Sequence, residues 1–214
     1  MLSKILDWSE VWATLLPVIV ALLFRSKKFY LEPLFIYFVI ALIAYLCIDM
    51  SYLNLIYNNN FIYNSLSIIR LLFFMQYFSY LKIPSKKTVR IVMFVLVLTL
   101  ETLFIILGKF KDFNSWIYGL EAVVLCAYCI FFFLKTLRVE EYVNNVSRSL
   151  LIVTGLLIYE SCCFFIFLFY ANLVMTNPGF AVSLWNVHNI VYIVMCLYIS
   201  RAFFEMHKYE PIRS

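Results

Sequence analysis

The sequence predicts an all-α integral membrane protein, a bundle of seven transmembrane helices with an N-out/C-in orientation. Three observations carry this prediction. The 214 residues are 65% hydrophobic and only 14% charged, whereas a soluble domain is about half apolar and a quarter charged. The apolar residues form seven long runs, and the Lys and Arg residues concentrate in every second connection between these runs.

The seven apolar runs define the predicted spans. Each run has about 17–23 residues and is apolar on all sides, close to the roughly 20 residues with which a helix crosses a bilayer. A membrane β-barrel would instead have segments of about 10 residues with alternating polarity. Short connections favour antiparallel neighbours within one domain, residues 1–214. The predicted spans are 8–24, 31–48, 62–81, 89–107, 115–134, 150–170 and 182–204.

Positive charge sets the predicted orientation, because the cytoplasmic loops of membrane proteins are enriched in Lys and Arg. Lys4, Lys109 and Lys111 fall on the predicted outer side, and Arg70 lies within the third span. The net charge of +5 therefore reflects topology and does not indicate nucleic-acid binding. Thirteen residues fall on the cytoplasmic side: Arg25, Lys27, Lys28, Lys82, Lys86, Lys87, Arg90, Lys135, Arg138, Arg148, Arg201, Lys208 and Arg213.

The cysteine and histidine residues do not predict a metal or another cofactor. All six cysteines fall inside predicted spans, where thiols act mostly as small apolar side chains. Cys126 and Cys129 have a spacing found in zinc sites, but no second pair of ligands is near them in sequence. His188 and His207 are the two histidines, and the predicted topology places them on opposite sides of the membrane.

Six ionisable residues fall in the outer half of the predicted spans. Charge within a bilayer is costly and usually faces the bundle interior or a water-filled cavity. A scaffolding ion pair of Arg70 with Glu121 or Glu160 is one explanation, but a common depth for all six favours a functional cavity. These residues are Asp49, Arg70, Glu101, Glu121, Glu160 and His188.

Helical spacing places several polar and aromatic side chains on shared faces. Span 7 carries four of them at i, i+3, i+4 and i+7, and spans 3 and 5 have comparable faces around Arg70 and Glu121. We expect these faces to converge on a polar cavity with aromatic walls that opens to the outside. The predicted ligand-binding residues are Arg70, Glu101, Glu121, Glu160, Trp185, His188, Asn189 and Tyr192.

Four segments, 58–64, 113–115, 155–160 and 185–190, have a characteristic order and spacing. Through them the chain resembles a family of small, uncharacterised seven-span membrane proteins of Bacteroidota. That family is similar to the seven-helix sensory input regions of bacterial histidine kinases, without the kinase. The resemblance covers spans 2 to 7 and implies a sensory fold rather than a defined chemistry. Arg70 departs from the acidic residue expected there, which alters the charge preference of the cavity.

The leading functional hypothesis is a receptor or sensor module in a bacterial inner membrane. It would bind a small molecule from the outer side and signal through a cytoplasmic or membrane partner, because residues 205–214 are too few for an output domain. A transporter or proton-coupled carrier is the first alternative. Others are a lipid-acting enzyme, possibly metal-dependent, that uses Glu121, Glu160 and His188, and a structural subunit. The absence of nucleophile and phosphate-loop motifs favours a non-enzymatic function.

Overall fold

A computed structural model describes residues 8–24, 32–51, 59–84, 86–107, 113–138 and 143–208. Within these ranges the chain forms seven α-helices and no β-strand, which confirms the all-α prediction. Helices α6 and α7 extend well beyond the apolar runs from which they were predicted. The helices are α1 (Ser9–Leu23), α2 (Glu32–Ser51), α3 (Asn59–Tyr80), α4 (Lys87–Leu107), α5 (Ser115–Arg138), α6 (Val143–Thr176) and α7 (Pro178–Lys208).

The helices have the composition of a membrane bundle. Ser9–Leu23 and Glu32–Ile48 are shorter apolar helices. A length of about 20 apolar residues lets a helix cross the hydrocarbon core with its backbone hydrogen bonds satisfied. The membrane class is thus supported, while the count of seven spans and their orientation stay predictions. Four described segments are long and apolar enough to cross a membrane: Asn59–Tyr80, Ser115–Leu137, Arg148–Tyr170 and Pro178–Glu205.

The odd-numbered helices α1, α3 and α5 run in the same direction, and the two ends of the bundle differ chemically. The starts of α1 and α3 meet where the Tyr63 hydroxyl donates to Glu10 Oε2 at 2.8 Å. The ends of α3 and α5 meet where Lys135 Nζ donates to the Leu81 carbonyl at 3.0 Å. We call the end at which the odd-numbered helices begin the polar end. The opposite end, which carries Lys82, Lys86, Lys87, Arg90 and Lys135, is called the basic end.

Six of the described helices form a closed ring in the order α1, α2, α3, α5, α6, α7 and back to α1. Helix α4 lies outside this ring and has sparse contacts with α3 and α5. The interior of the ring is rich in large aromatic side chains. Among its fully buried residues are Tyr37, Tyr77, Tyr159, Tyr192, Phe38, Phe74 and Phe78.

Gly155 permits a close approach of α6 and α7. A Cβ atom at this position would lie 2.6 Å from the Cβ of Tyr198 and 3.4 Å from the Met195 carbonyl oxygen. Small residues at such crossings let helix backbones come together in membrane proteins, where dispersion contacts drive association. The α6–α7 pair is thereby fixed, and it presents Tyr159 and His188 to the ring interior with ring centroids 5.6 Å apart.

Candidate ligand site

A buried ion pair joins α3 to α5 near the polar end. Arg70 donates through Nε and Nη2 to the Glu121 carboxylate, and the distance from Nη2 to Oε2 is 2.7 Å. The Ser67 hydroxyl donates to the same carboxylate. Arg70 is 5% exposed and Glu121 is fully buried. A two-point contact between guanidinium and carboxylate restricts the geometry of both side chains, so this pair fixes α3 relative to α5.

Tyr159 extends the Arg70 network to α6. Nη1 of Arg70 donates to the Tyr159 hydroxyl at 2.5 Å. The guanidinium carbon also lies 4.8 Å from the centroid of the Tyr159 ring, within the range of a cation–π contact. Arg70 thus connects three helices of the ring through one side chain.

Glu160, the next residue on α6, is the least satisfied polar group of the core. It is fully buried, and neither carboxyl oxygen has a hydrogen-bond partner among the described residues. Its nearest charged neighbour is Arg70, whose Nε lies 3.7 Å from Oε1 of Glu160. Buried polar groups are nearly always hydrogen-bonded in folded proteins. A buried carboxyl without a partner is therefore a candidate for binding something other than the protein.

A third carboxyl group, on Glu10, enters the core from α1. Its Oε1 lies 3.6 Å from Nε2 of His188, and its Oε2 accepts the hydrogen bond from Tyr63. Nδ1 of His188 lies 3.4 Å from the Cys163 sulfur. The His188 side chain therefore stands between the first helix and the sixth, with a polar group at each ring nitrogen.

Hydroxyl groups and indole complete the site. Thr14 Oγ1 donates its hydrogen to the Glu10 carbonyl at 2.6 Å. Because a hydroxyl has only one hydrogen to donate, the Tyr192 hydroxyl is the donor in its contact with Thr14 Oγ1 at 2.7 Å. The Trp185 ring lies 4.9 Å from His188 and 5.7 Å from Tyr63, measured between centroids. These contacts close the polar end with aromatic side chains from α3 and α7.

A small void remains beside Arg70 and His188. Its volume is about 20 Å³, enough for about one water molecule. The side chains around it are mostly aromatic and hydroxyl-bearing, with Arg70 and His188 as the basic members. The lining residues are Tyr45, Tyr63, Leu66, Ser67, Arg70, Tyr118, Tyr159, Phe167, Trp185 and His188.

Carboxyl groups outnumber basic groups in this core. Glu10, Glu121 and Glu160 are each less than a tenth exposed, and they face one guanidinium, Arg70, and one imidazole, His188. Arg70 can neutralise one carboxylate, and protonated His188 can neutralise a second. The remaining carboxyl must be protonated, bind a cation, or carry an uncompensated charge at high cost. The core therefore has a place for one further positive charge, either a proton on a carboxyl group or a bound cation.

The structure brings together most of the residues predicted from sequence. Asn189 is also buried, at 2% exposure, beside His188 in the chain. The side chains of Asp49, Glu101 and His207 lie outside the described residues. Six predicted ligand-binding residues converge on the ring interior: Arg70, Glu121, Glu160, Trp185, His188 and Tyr192.

Sequence reasoning missed Glu10 and Thr14 on α1. Their i, i+4 spacing places them on one helical face, and both are buried. Glu10 also stands near the polar end of the first span, at the depth of the other ionisable residues. These two signals together would have added α1 to the predicted site.

The described residues contain no group of three or more His, Cys, Asp or Glu side chains that could hold a metal ion. Cys126 and Cys129 are free thiols, as are the other four cysteines. Cys126 lies 3.7 Å from the Ser161 hydroxyl rather than beside a second thiol. No protein-family model matches the chain, and no curated protein or solved structure is significantly similar to it. The family resemblance therefore stays a prediction.

Proposed function

We propose that the chain is a seven-span receptor or sensor module of a bacterial inner membrane, with its N-terminus outside and its C-terminus in the cytoplasm. The proposed ligand is a small organic cation that binds at the polar end. One observation supports this above all others. Three buried carboxyl groups share an aromatic-walled core with a single guanidinium, and Glu160 has no hydrogen-bond partner among the described residues.

The chemistry of the core suits an ammonium group. No described residue donates a hydrogen bond to either carboxyl oxygen of Glu160. The N–H groups of a protonated amine could supply these donors. The surrounding rings of Tyr45, Tyr63, Tyr118 and Trp185 line the void. Aromatic faces attract cations, by about 2 kcal/mol or more where water is excluded. An anionic ligand could pair with Arg70 only by displacing the Glu121 carboxylate, and the nearby carboxyl groups would repel it.

The size of the void connects binding to a change of shape. A volume of about 20 Å³ holds a water molecule but not an organic amine. Ligand entry therefore requires the side chains and helices around Arg70 and His188 to separate. A ligand shifts a conformational equilibrium only by its difference in affinity for the two states. A ligand that fits only the open state binds that state more tightly, and it therefore shifts the equilibrium towards it. A membrane or cytoplasmic partner would detect the resulting helix movement.

The distribution of charge favours a sensor over a carrier. Towards the basic end, the buried side chains that follow Arg70 on α3 are Leu71, Phe74, Met75, Tyr77 and Phe78, and Tyr77 alone among these carries a polar group. Arg148 is the buried charged residue on that side among the described residues. A carrier needs polar groups along a continuous path. The polar end provides a binding site, but the described residues do not extend it into a polar transport path across the bundle.

The test measures thermal unfolding of the protein in nanodiscs with organic cations and anions of similar size. tert-Butylammonium and ethanolammonium serve as cations with N–H donors, and pivalate and glycolate serve as anions of similar shape. We expect the cations to raise Tm in a concentration-dependent way, because a ligand that binds only the folded state stabilises it. Glu160→Gln should abolish this increase.

The matched control is Glu205→Gln, which changes the same chemical group outside the core. Glu205 pairs with Arg201 at 2.9 Å on the last turns of α7. The control should leave the response to cations unchanged. Stabilisation by the anions alone, or an equal response in Glu160→Gln and the wild type, would overturn the proposal.

A further inference from the structure

A second cavity lies at the basic end, between α3, α4 and α5. Its volume is about 590 Å³, well within the roughly 300–1,000 Å³ of sites that bind small molecules. The peripheral position of α4 creates it, because α4 has sparse contacts with α3 and α5. We call this cavity the α4 groove. It shares no lining residue with the void at the polar end.

The α4 groove is amphipathic along its length. One part is walled by apolar side chains, among them Leu72, Phe73, Ile91 and Phe94. Ile91 and Phe94 are 53% and 43% exposed, so α4 leaves apolar surface uncovered beside the cavity. A long apolar chain would cover this surface better than water or a compact polar molecule.

The other part of the groove is basic. Lys87 and Arg90 line it where α4 begins, and no described lining residue is acidic. The Arg90 guanidinium donates to the Pro84 carbonyl at 2.7 Å, which holds it at this end of the groove. Lys82 and Lys86 are exposed on the adjoining segment. This concentration of positive charge selects an anionic group.

We propose that the α4 groove binds an anionic phospholipid. Its phosphate pairs with Lys87 and Arg90, and one acyl chain lies along the apolar wall formed by α3 and α4. Basic pockets between transmembrane helices are known to bind anionic lipid headgroups. An apolar helix of another protein would cover the apolar wall, but it would bring no negative charge to the basic part of the groove. Charge complementarity therefore favours the lipid.

The test compares spin-labelled phosphatidylglycerol and phosphatidylcholine with identical acyl chains, using the full chain reconstituted in bilayers. We expect phosphatidylglycerol to be immobilised preferentially. Each basic residue near a lipid surface contributes roughly fivefold in affinity. The double variant Lys87→Gln/Arg90→Gln should therefore lower the preference by about tenfold or more, towards the level of phosphatidylcholine.

Two further variants locate the effect. Arg201→Gln removes a basic residue of α7 whose side chain is 70% exposed and which does not line the groove, so the lipid preference should persist. Ser79→Trp places an indole in the groove and should remove the preference for phosphatidylglycerol, while circular dichroism confirms an unchanged helix content. An equal affinity for both lipids in the wild type would overturn the proposal. So would an equal loss in Arg201→Gln, or crosslinks between Ile91→Cys copies that phosphatidylglycerol does not prevent.

Discussion

Helix α4 and the six-helix ring are made of similarly apolar sequence, yet they bury it in different ways. Side chains of the ring pack inward on each other, around Arg70, Glu121 and Glu160. Most of the described side chains of α4 are exposed, and Val97 is its buried residue among them. Lipid is as apolar as a leucine side chain, so burial against protein gives little hydrophobic advantage within a bilayer. The ring is therefore held by dense packing and buried polar contacts, whereas the described side chains of α4 are mostly exposed.

This difference predicts where the molecule tolerates change. A substitution in the ring disturbs dense packing or a buried charge, whereas one on the exposed face of α4 changes a side chain with few protein neighbours. Regions with few buried contacts also open at lower free energy than the rest of a protein. The comparison can be tested with variants that are chemically matched between the two regions.

The largest effect is expected for Arg70→Ala. This variant leaves the carboxyl groups of Glu121 and Glu160 buried without a guanidinium, and breaking a buried ion pair in this way costs about 3–5 kcal/mol. Reversible unfolding of the protein in mixed micelles, followed by circular dichroism, measures the change in free energy. The double variant Arg70→Leu/Glu121→Leu should recover a large part of the loss, because an apolar pair replaces a desolvated ionic pair.

The control for this prediction is Arg201→Ala at the other end of the bundle. Arg201 forms an exposed i, i+4 pair with Glu205, and such pairs contribute about 0.5 kcal/mol or less. Equal losses in Arg70→Ala and Arg201→Ala would contradict the ring as the region held by buried charge.

The second expected effect concerns two glycines on ring helices. Gly155→Ala places a methyl group against Tyr198, and overpacking of this kind costs about 1–3 kcal/mol. Gly119→Ala meets nothing within 4 Å, so its helix propensity should stabilise α5 by up to about 1 kcal/mol. The same unfolding assay measures both. Destabilisation of similar size by the two variants would show that the α6–α7 approach is not tight.

Helical periodicity was sufficient to predict the buried face of α7. The i, i+3, i+4 and i+7 spacing of Trp185, His188, Asn189 and Tyr192 places them on one side of any helix, and the structure turns that side towards the ring. Hydropathy was less informative about helix ends. The run predicted as 150–170 lies within Val143–Thr176, because the polar residues at the ends of a helix lower the hydropathy without ending the helix.

The arrangement of helices could not be predicted from the sequence. The apolar run of α4 resembles those of the ring, so its peripheral position depends on packing that periodicity does not record. The position of Glu10 in the first span and its spacing from Thr14 could be seen in the sequence, but its contacts could not. Its burial depends on the packing of α1 against α7 and on the Tyr63 hydroxyl of α3. The size of the void also depends on how the rings of several helices interlock, which no single segment determines.

A moderate effect is expected at the hydroxyl pair of Thr14 and Tyr192. Tyr192→Phe and Thr14→Val each remove one member of a buried hydrogen bond of 2.7 Å, and each should cost about 1–3 kcal/mol. Because both variants break the same contact, the double variant should be less destabilised than the sum of the two. Additive losses in this double-mutant cycle would mean that the hydroxyl groups act independently.

The smallest effect is expected for Thr99→Val on α4, which is the exposed counterpart of Thr14→Val. Thr99 Oγ1 donates to the Val95 carbonyl at 2.8 Å, and Thr14 Oγ1 makes the same i−4 contact with Glu10. The local hydrogen bond is thus common to both positions, and only the surroundings differ. Thr14 is fully buried beside Tyr192, whereas Thr99 is exposed. Exposed substitutions usually stay within about 0.5 kcal/mol, and α4 would keep its backbone bonds after the change. If Thr99→Val destabilises the protein as much as Thr14→Val, then α4 is covered by protein in the membrane, and the contrast between the ring and α4 is lost.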